Sequence, residues 1–256
     1  MRRIRVIPVL LLQNGGLVKS VKFKNHTYVG DPLNAVKIFN EKEVDELVVL
    51  DISATSEKRE PDIQFIKEIA SEAFMPLGYG GGVSTMGQIK ALVQAGVEKV
   101  ILNTGAVKVP GLIKEAAAYV GSQSIVVSMD VRKNIWGKYS VFIENGTKNI
   151  HVDPIAYAKK MEADGAGEIM LMSIDRDGTF KGFDNELINL VSSAVNIPVI
   201  AAGGASTVED FAKAVKSGAS AVSAGSLFVF QGSHRAVLIS YPNQDVLKEK
   251  LFSHFI

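Results

Sequence analysis

The 256-residue chain contains no cysteine, which excludes disulfides, thiolate nucleophiles and cysteine-ligated zinc. Its four histidines, His26, His151, His234 and His254, are too far apart to form an HxxxH-type pair, so no metal site is expected. An excess of charge of one sign is missing as well. Lys and Arg number 28 against 27 Asp and Glu, a formal net charge of +1, without the basic surplus of a dedicated nucleic-acid binder. No segment approaches the ~20 consecutive apolar residues of a membrane span. The start, Met1-Arg2-Arg3-Ile4-Arg5 followed by Val6 to Leu12, imitates a signal peptide. Its apolar run is short, contains Pro8, ends in Gln13-Asn14-Gly15-Gly16 and lacks a small-residue cleavage site. It reads as a buried strand, and the chain as cytoplasmic, with neither nucleic acid nor membrane as partner.

What is present is a regular alternation. Hydrophobic residues make up 47% and charged residues 21%, enough apolar surface for a large core. Short β-rich apolar runs occur at 4–12, 46–52, 75–79, 99–102, 124–130, 168–174, 198–202 and 219–224. Helical patterns fall between them, near 32–41, 61–73, 84–95, 110–119, 153–163, 182–193, 206–217 and 244–252. Asp31-Pro32 and Val109-Pro110 resemble helix starts, and Gly96 and Gly218 sit where helices should stop. Eight strands alternating with eight helices predict a single (β/α)8 barrel domain over residues 1–256.

The chain also repeats itself. At an offset of 122 residues, Gly81-Gly82-Val83-Ser84-Thr85 falls on Gly203-Gly204-Ala205-Ser206-Thr207, Gly96 on Gly218, Val100 on Val222, Thr104 on Ser226 and Glu46 on Glu168. This reads as two half-barrels of four βα units each.

In such a barrel, functional residues lie where strands end. Two strand ends are glycine-rich, Gly80-Gly81-Gly82 and Gly203-Gly204, and each precedes a Ser-Thr pair that can cap a helix. The next strands end in Asn103-Thr104 and Gly225-Ser226. Glycine lets backbone approach a ligand, and helix N-termini present N–H groups with partial positive charge. Two symmetric corners therefore point to two phosphates of one ligand rather than to tight turns alone. Asp51, Asp130 and Asp175/Asp177 also stand at strand ends. Asp130 closes an apolar run and suits proton transfer. Asp177-Gly178 can equally be a turn. Arg5, Glu46, Lys99 and Glu168 begin strands at the opposite end, and spacing alone makes them an ordinary solvated rim.

Together these stretches resemble HisF, the cyclase subunit of imidazole glycerol phosphate synthase, from Arg5 to Phe228. They include Gly30-Asp31-Pro32, Asp45-Glu46-Leu47, Leu50-Asp51-Ile52, Glu57-Lys58-Arg59, Gly121-Ser122-Gln123 and Ser173-Ile174-Asp175-Arg176-Asp177-Gly178-Thr179, besides the glycine corners. The sister isomerase of histidine synthesis shares the half-barrel repeat but not these stretches together. The resemblance implies no cofactor, and a HisH-type glutaminase partner in a heterodimer, docked on the barrel floor. Ammonia would pass through the barrel to a small phosphorylated ligand at the mouth.

Gly82, Asn103 and Thr104 match one phosphate site. Asp177, Gly178, Gly204, Gly225 and Ser226 match the other, and Asp51 lies beside the mouth. Arg5, Glu46, Lys99 and Glu168 match the charged ring at the ammonia entrance, which reverses the reading of a solvated rim. Lys19 matches the lysine of the first loop, and Asp130 one catalytic aspartate. The family's other catalytic aspartate ends the first strand, where this chain has Leu11. Leucine cannot move a proton, and losing such a group typically costs about 10²–10⁴ in rate.

Three readings follow. The chain is a divergent HisF-like protein that serves another acceptor, as in surface-polysaccharide sugar amidation. Alternatively, it is the histidine-pathway cyclase with a rearranged acid–base group, or a non-catalytic activator of the glutaminase.

Overall fold

In the computed structural model, residues 4–232 and 234–255 are described. Met1-Arg2-Arg3 of the signal-like start and Ser233 lie outside them. Eight parallel strands form a closed (β/α)8 barrel: β1 (Arg5–Gln13), β2 (Leu47–Asp51), β3 (Leu77–Gly80), β4 (Lys99–Leu102), β5 (Ile125–Lys133), β6 (Glu168–Ser173), β7 (Val199–Ala202) and β8 (Ala221–Ala224). Neighbours in sequence are neighbours in the sheet, β8 pairs with β1, and β5 pairs with β6 to close the ring. The outer helices are α1 (Pro32–Glu41), α2 (Ile63–Glu72), α3 (Met86–Gln94), α4 (Leu112–Val120), α5 (Pro154–Ala163), α6 (Asn185–Ser192), α7 (Val208–Lys216) and α8 (Gln244–Lys250).

The strands read as continuous apolar runs because both of their faces are buried. With a period of two, one set of side chains turns outward against the helices. Val6, Leu10, Leu47, Val49, Val100, Val127 and Leu171 join Phe39, Ile66, Leu92, Leu187 and Phe211 in the main core. The alternate set, Ile7, Val9, Val48, Ile101, Val126, Met170, Ile200, Ala202 and Ala221, packs inside the barrel as a separate apolar column.

Helix starts follow local chemistry. Asp31, Asp62, Asp153, Asp184 and Asn243 each accept a backbone N–H of the first turn. The half-barrel repeat is visible in the caps. Thr85 with Gln88 and Thr207 with Asp210, 122 residues apart, both form capping boxes.

Several boundaries differ from the sequence expectation. β3 starts at Leu77 rather than 75, and β5 runs three residues past Asp130 to Lys133. Pro110 does not start a helix. It lies between a short helix, Thr104–Lys108, and α4, whose cap is Gly111. A matching short helix, Ser226–Val229, follows β8. Two hairpins, which the strand–helix alternation leaves out, rise at the mouth. Gly16–Val21 and Lys24–Gly30 follow β1, and Tyr139–Ile143 folds back on the extension of β5.

The segment after the last short helix is anchored by an aromatic chain. Phe183, Phe211, Phe228 and Tyr241 touch in sequence at 6.2, 6.2 and 5.2 Å between ring centres, and the Tyr241 hydroxyl donates to the Val6 carbonyl at 3.0 Å. Phe211 is fully buried in the middle of this chain. Phe211→Ala should lower the unfolding free energy by about 3–5 kcal/mol in urea denaturation. A loss under about 1 kcal/mol would show that the stack does not hold the C-terminal segment.

Candidate functional site

The floor of the barrel is closed by four charged side chains from β1, the residue before β2, β4 and β6. Arg5 Nη1 donates to Glu46 Oε2 at 2.5 Å and Arg5 Nη2 to Glu168 Oε1. Lys99 Nζ donates to Glu46 Oε2 at 3.0 Å and to Glu168 Oε2 at 2.6 Å. Glu46 and Glu168 are buried. Burial opposes the charge on Arg5, but Glu46 and Glu168 beside it hold its guanidinium above the ordinary value. This is a desolvated, net-neutral ring rather than a solvated rim. Below it, the floor opens into a groove whose lining includes Val93, Glu98, Tyr119, Gln123 and Pro198.

Above the ring stands the apolar column, whose upper end is made by Leu11, Leu50 and Met172. There the mouth opens into a cavity of about 140 Å³. It is lined by Leu11, Asp51, Gly82, Asn103, Thr104, Asp130 and Asp177, and by Ser20, Phe23, His26 and Asn145 from the two hairpins. Asp130 is 8% exposed. Asn103 Nδ2 donates to its Oδ2 at 3.2 Å, and the Ser128 hydroxyl lies 3.5 Å from Oδ1. Burial pushes the Asp130 carboxyl up to about 7, Ser128 pulling it down and Asp177 adding to the rise. Such a carboxyl can donate or accept a proton near neutral pH.

Asp51 has a different surrounding. Its Oδ1 accepts from Ser53 N, Ser53 Oγ and Ala54 N, each at 3.0 Å, and Oδ2 faces Arg59 Nη1 at 3.2 Å. Both oxygens are engaged in holding the loop after β2. Asp51 is therefore not a free substitute for the carboxylate missing at position 11.

A second, smaller cavity of about 40 Å³ adjoins the first. It is lined by Lys19, Asp177, Gly178, Gly204, Gly225 and Ser226, and shares Leu11, Ser20, Met172 and Asp177 with its neighbour. Lys19 is buried and donates to the Val9 carbonyl at 2.6 Å. Burial pulls its pKa down to about 8, with Asp177 acting against that. The equivalent glycines of the two corners, Gly82 and Gly204, have φ of +69° and +107°. A side chain at either would run into the backbone, of Arg59 and of Gly182 respectively. Only glycine fits there.

The first hairpin lies across the mouth on Asp177. The Ser20 hydroxyl donates to Asp177 Oδ2 at 2.8 Å, and Lys22 N donates to the Asp177 carbonyl at 2.9 Å. Burial raises the Asp177 carboxyl, while the hydrogen bonds from Ser20 and Phe23 N, then Lys19 and His26, work downward. The second hairpin contributes Glu144 N, which donates to Thr104 Oγ1 at 3.1 Å, and Asn145 Nδ2, which reaches the Ile52 carbonyl.

The site residues expected from sequence thus fall into the ring, the larger cavity or the smaller one, except Asp175, whose Oδ2 instead accepts from Lys133 N on the extension of β5 at 2.9 Å. Ser20, Phe23, His26, Ser128 and Asn145 were missed. The signal for the hairpins was the pair of Asn-Gly steps, at 14–15 after β1 and at 145–146 where Tyr139–Ile143 turns back onto Lys148–Asn149, a turn signature. Among the described residues, no group of three or more His, Asp or Glu is placed to hold a metal ion.

A repeated (β/α)8 barrel with paired glycine corners above and a buried charged ring below defines a narrow class of protein. The sequence model of the histidine biosynthesis protein family matches residues 5–235, and the chain belongs to that family. Within it the chain is HisF-like. It is 53% identical over 248 residues to a Pseudomonas aeruginosa protein provisionally named imidazole glycerol phosphate synthase subunit hisF2, covering 96% of this chain and 99% of the relative. A Leptospira interrogans protein provisionally named subunit HisF is 48% identical over 254 residues, 98% of this chain and 100% of its own. The imidazole glycerol phosphate synthase subunit HisF of Endomicrobium trichonymphae is 46% identical over 228 residues, covering 89% and 88%.

The position of Asp130 gives a pH prediction. Its folded pKa lies above the ordinary carboxylate value, so the fold binds a proton that the unfolded chain has lost. Stability should fall as pH rises from about 4 to about 7. Asp130→Asn should flatten that part of the curve in urea titrations. An unchanged slope would show that Asp130 titrates like an exposed carboxylate.

Proposed function

We propose that this chain is the barrel partner of a glutamine amidotransferase and delivers ammonia to an acceptor other than the cyclase substrate. A HisH-type glutaminase docks beneath the floor, with Glu98 and Gln123 near the contact, in a cytoplasmic heterodimer. Ammonia passes the ring of Arg5, Glu46, Lys99 and Glu168 and rises along the apolar column, which favours a neutral molecule over an ion. It emerges beside Asp130, where Gly82, Asn103 and Thr104 on one side and Asp177, Gly178, Gly204, Gly225 and Ser226 on the other hold a small phosphorylated ligand. Lys19 supplies a cation at the second corner, and Asp130 exchanges protons near neutral pH. The single observation that carries this reading is Leu11. Together with Leu50 and Met172 it makes the exit of the column apolar and leaves Asp130 without a carboxylate on the first strand. Amidation of a surface-polysaccharide sugar is an acceptor reaction that fits a retained floor and an altered mouth.

The second reading, the cyclase of histidine synthesis, is favoured by the names of the relatives and by the presence of Asp130, Lys19 and both corners. In that reaction ammonia and phosphoribulosyl-formimino-AICAR-phosphate give imidazole glycerol phosphate and AICAR. A chain with one acid–base group of two is expected to perform it poorly.

Two experiments test the proposal, the first its partner and the second the choice between these readings. Co-expression with a HisH-type glutaminase should give one peak in gel filtration at micromolar concentration, and two separate peaks would reject the partnership. In a histidine auxotroph lacking its own HisF and supplied with high ammonium, the chain should not restore growth. Robust growth would put the cyclase reading first. If growth fails, recovery by Leu11→Asp would mean that the rest of the mouth still suits cyclase chemistry.

A further inference from the structure

Three protrusions rise on the mouth side of the barrel, and their composition sets them apart from the rest of the chain. They are the hairpin after β1 (14–30), the hairpin on the extension of β5 (131–143) and the segment after the last short helix (229–243), where Phe230–Gln231 pairs with Ala236–Val237. Together they hold seven of the 28 lysines and arginines and none of the 27 aspartates and glutamates, so the remainder of the chain is net acidic. Lys19 is buried and Lys133 is paired with Glu186, which leaves Lys22, Lys24, Arg132, Lys138 and Arg235 to set the field. Most acids of the neighbouring loops are already engaged. Arg59 holds Asp51 and Glu57, Lys108 holds Glu144, and the second hairpin itself holds Asp175 and Asp184 through Lys133 N and the Tyr139 hydroxyl.

The same protrusions carry Tyr28, Ile135, Trp136, Val237 and Leu238, all large and exposed. Ile135 and Trp136 are 89% and 84% exposed at a turn, where small polar residues are the rule. That turn is held from within. Asn134 Oδ1 accepts from Trp136 N at 3.0 Å and from Lys138 N at 2.9 Å, and Gly137 N donates to the Asn134 carbonyl at 3.0 Å. The two apolar side chains are therefore presented to solvent by a defined backbone. Exposed apolar groups among charges of one sign mark an interaction face. Three separate tips offer no groove to a partner of fixed shape, and they suit a surface that yields around each of them. Aromatic rings flanked by lysine and arginine settle at the boundary of a bilayer, with the rings against acyl chains and the cations among headgroups. We propose that the mouth face docks on an anionic lipid bilayer. Among the described residues no helix is long and apolar enough to cross a membrane, so the contact is peripheral. This revises the expectation that a membrane is no partner, because hydropathy excludes a span and not a surface contact. The inference does not depend on the reading of the floor or of the ammonia route.

Trp136 is the chain's one tryptophan, so its fluorescence reports on this face alone. The full chain is mixed with vesicles of equal parts phosphatidylcholine and phosphatidylserine, and separately with vesicles of phosphatidylcholine. With the anionic vesicles at low salt, the emission maximum should move to the blue, lipids brominated on their acyl chains should quench it, and the chain should sediment with the vesicles. High salt should release it. Lys22→Gln, Lys24→Gln and Lys138→Gln should each weaken partitioning roughly fivefold, and Ile135→Ser roughly tenfold. All four positions are exposed, and circular dichroism verifies that each variant folds. Absence of both the shift and sedimentation with anionic vesicles overturns the proposal. Equal binding to phosphatidylcholine alone removes its electrostatic basis, and binding untouched by all four substitutions places the contact on another face. A blue shift that grows with protein concentration in the absence of lipid assigns the face to a second copy of the chain. A shift with polyglutamate but not with vesicles assigns it to an acidic protein, and either result overturns the bilayer.

Discussion

Everything in this molecule hangs on the pairing of β5 with β6, six residues in register from Val126 opposite Glu168 to Val131 opposite Ser173. That pairing turns an eight-stranded ribbon into a closed barrel and gives it a bottom and a top. Because all eight strands run the same way, their first residues share one end and their last residues the other. The period of two then sorts side chains between the bore and the outer core. Arg5, Lys99 and Glu168 could not meet if the sheet were open, and Asn103 at the end of β4 could not reach Asp130 on β5 in any other register.

The two ends differ in how their residues depend on one another. At the floor, each of four charges has partners among the other three, and removing one leaves an uncompensated buried charge at a cost of about 3–5 kcal/mol. Such a ring changes as a unit or not at all. At the mouth, leucine can stand at position 11 because Leu50 and Met172 offer it apolar neighbours. Asp130 keeps its own donor in Asn103, and Asp51 keeps Arg59 and Ser53. Replacement at one strand end therefore leaves the others in place, and chemistry can diverge above an undisturbed foundation of charge.

The barrel was legible because its cause is local. Apolar runs of strand length, proline and aspartate at helix starts and glycines at turns each declare themselves within a few residues. The repeat at 122 added the long-range order, and Thr85 and Thr207 show why it is physical. Each closes the same capping box after the same glycine corner. What spacing could not supply was burial. Arg5, Glu46, Lys99 and Glu168 are ordinary strand-end charges until the sheet closes and removes water from between them. The hairpins were passed over for another reason. Gly16–Val21 follows β1 after only two residues, so Asn14-Gly15 looked like the end of a run rather than a reversal.

Closing the barrel also abolishes the sheet edges on which chains can add to one another. The first hairpin reintroduces one. Among the described residues, its outer strand, Lys24–Gly30, pairs only with the inner strand, and it is exposed from Lys24 to Tyr28. The strand is poorly suited as a template for a neighbouring molecule. Register shifts interrupt its pairing, Asn25 takes a left-handed conformation at φ +52°, and a lysine stands at its start. A protein that carries a hairpin flap over its mouth thereby avoids turning that flap into a site of self-association.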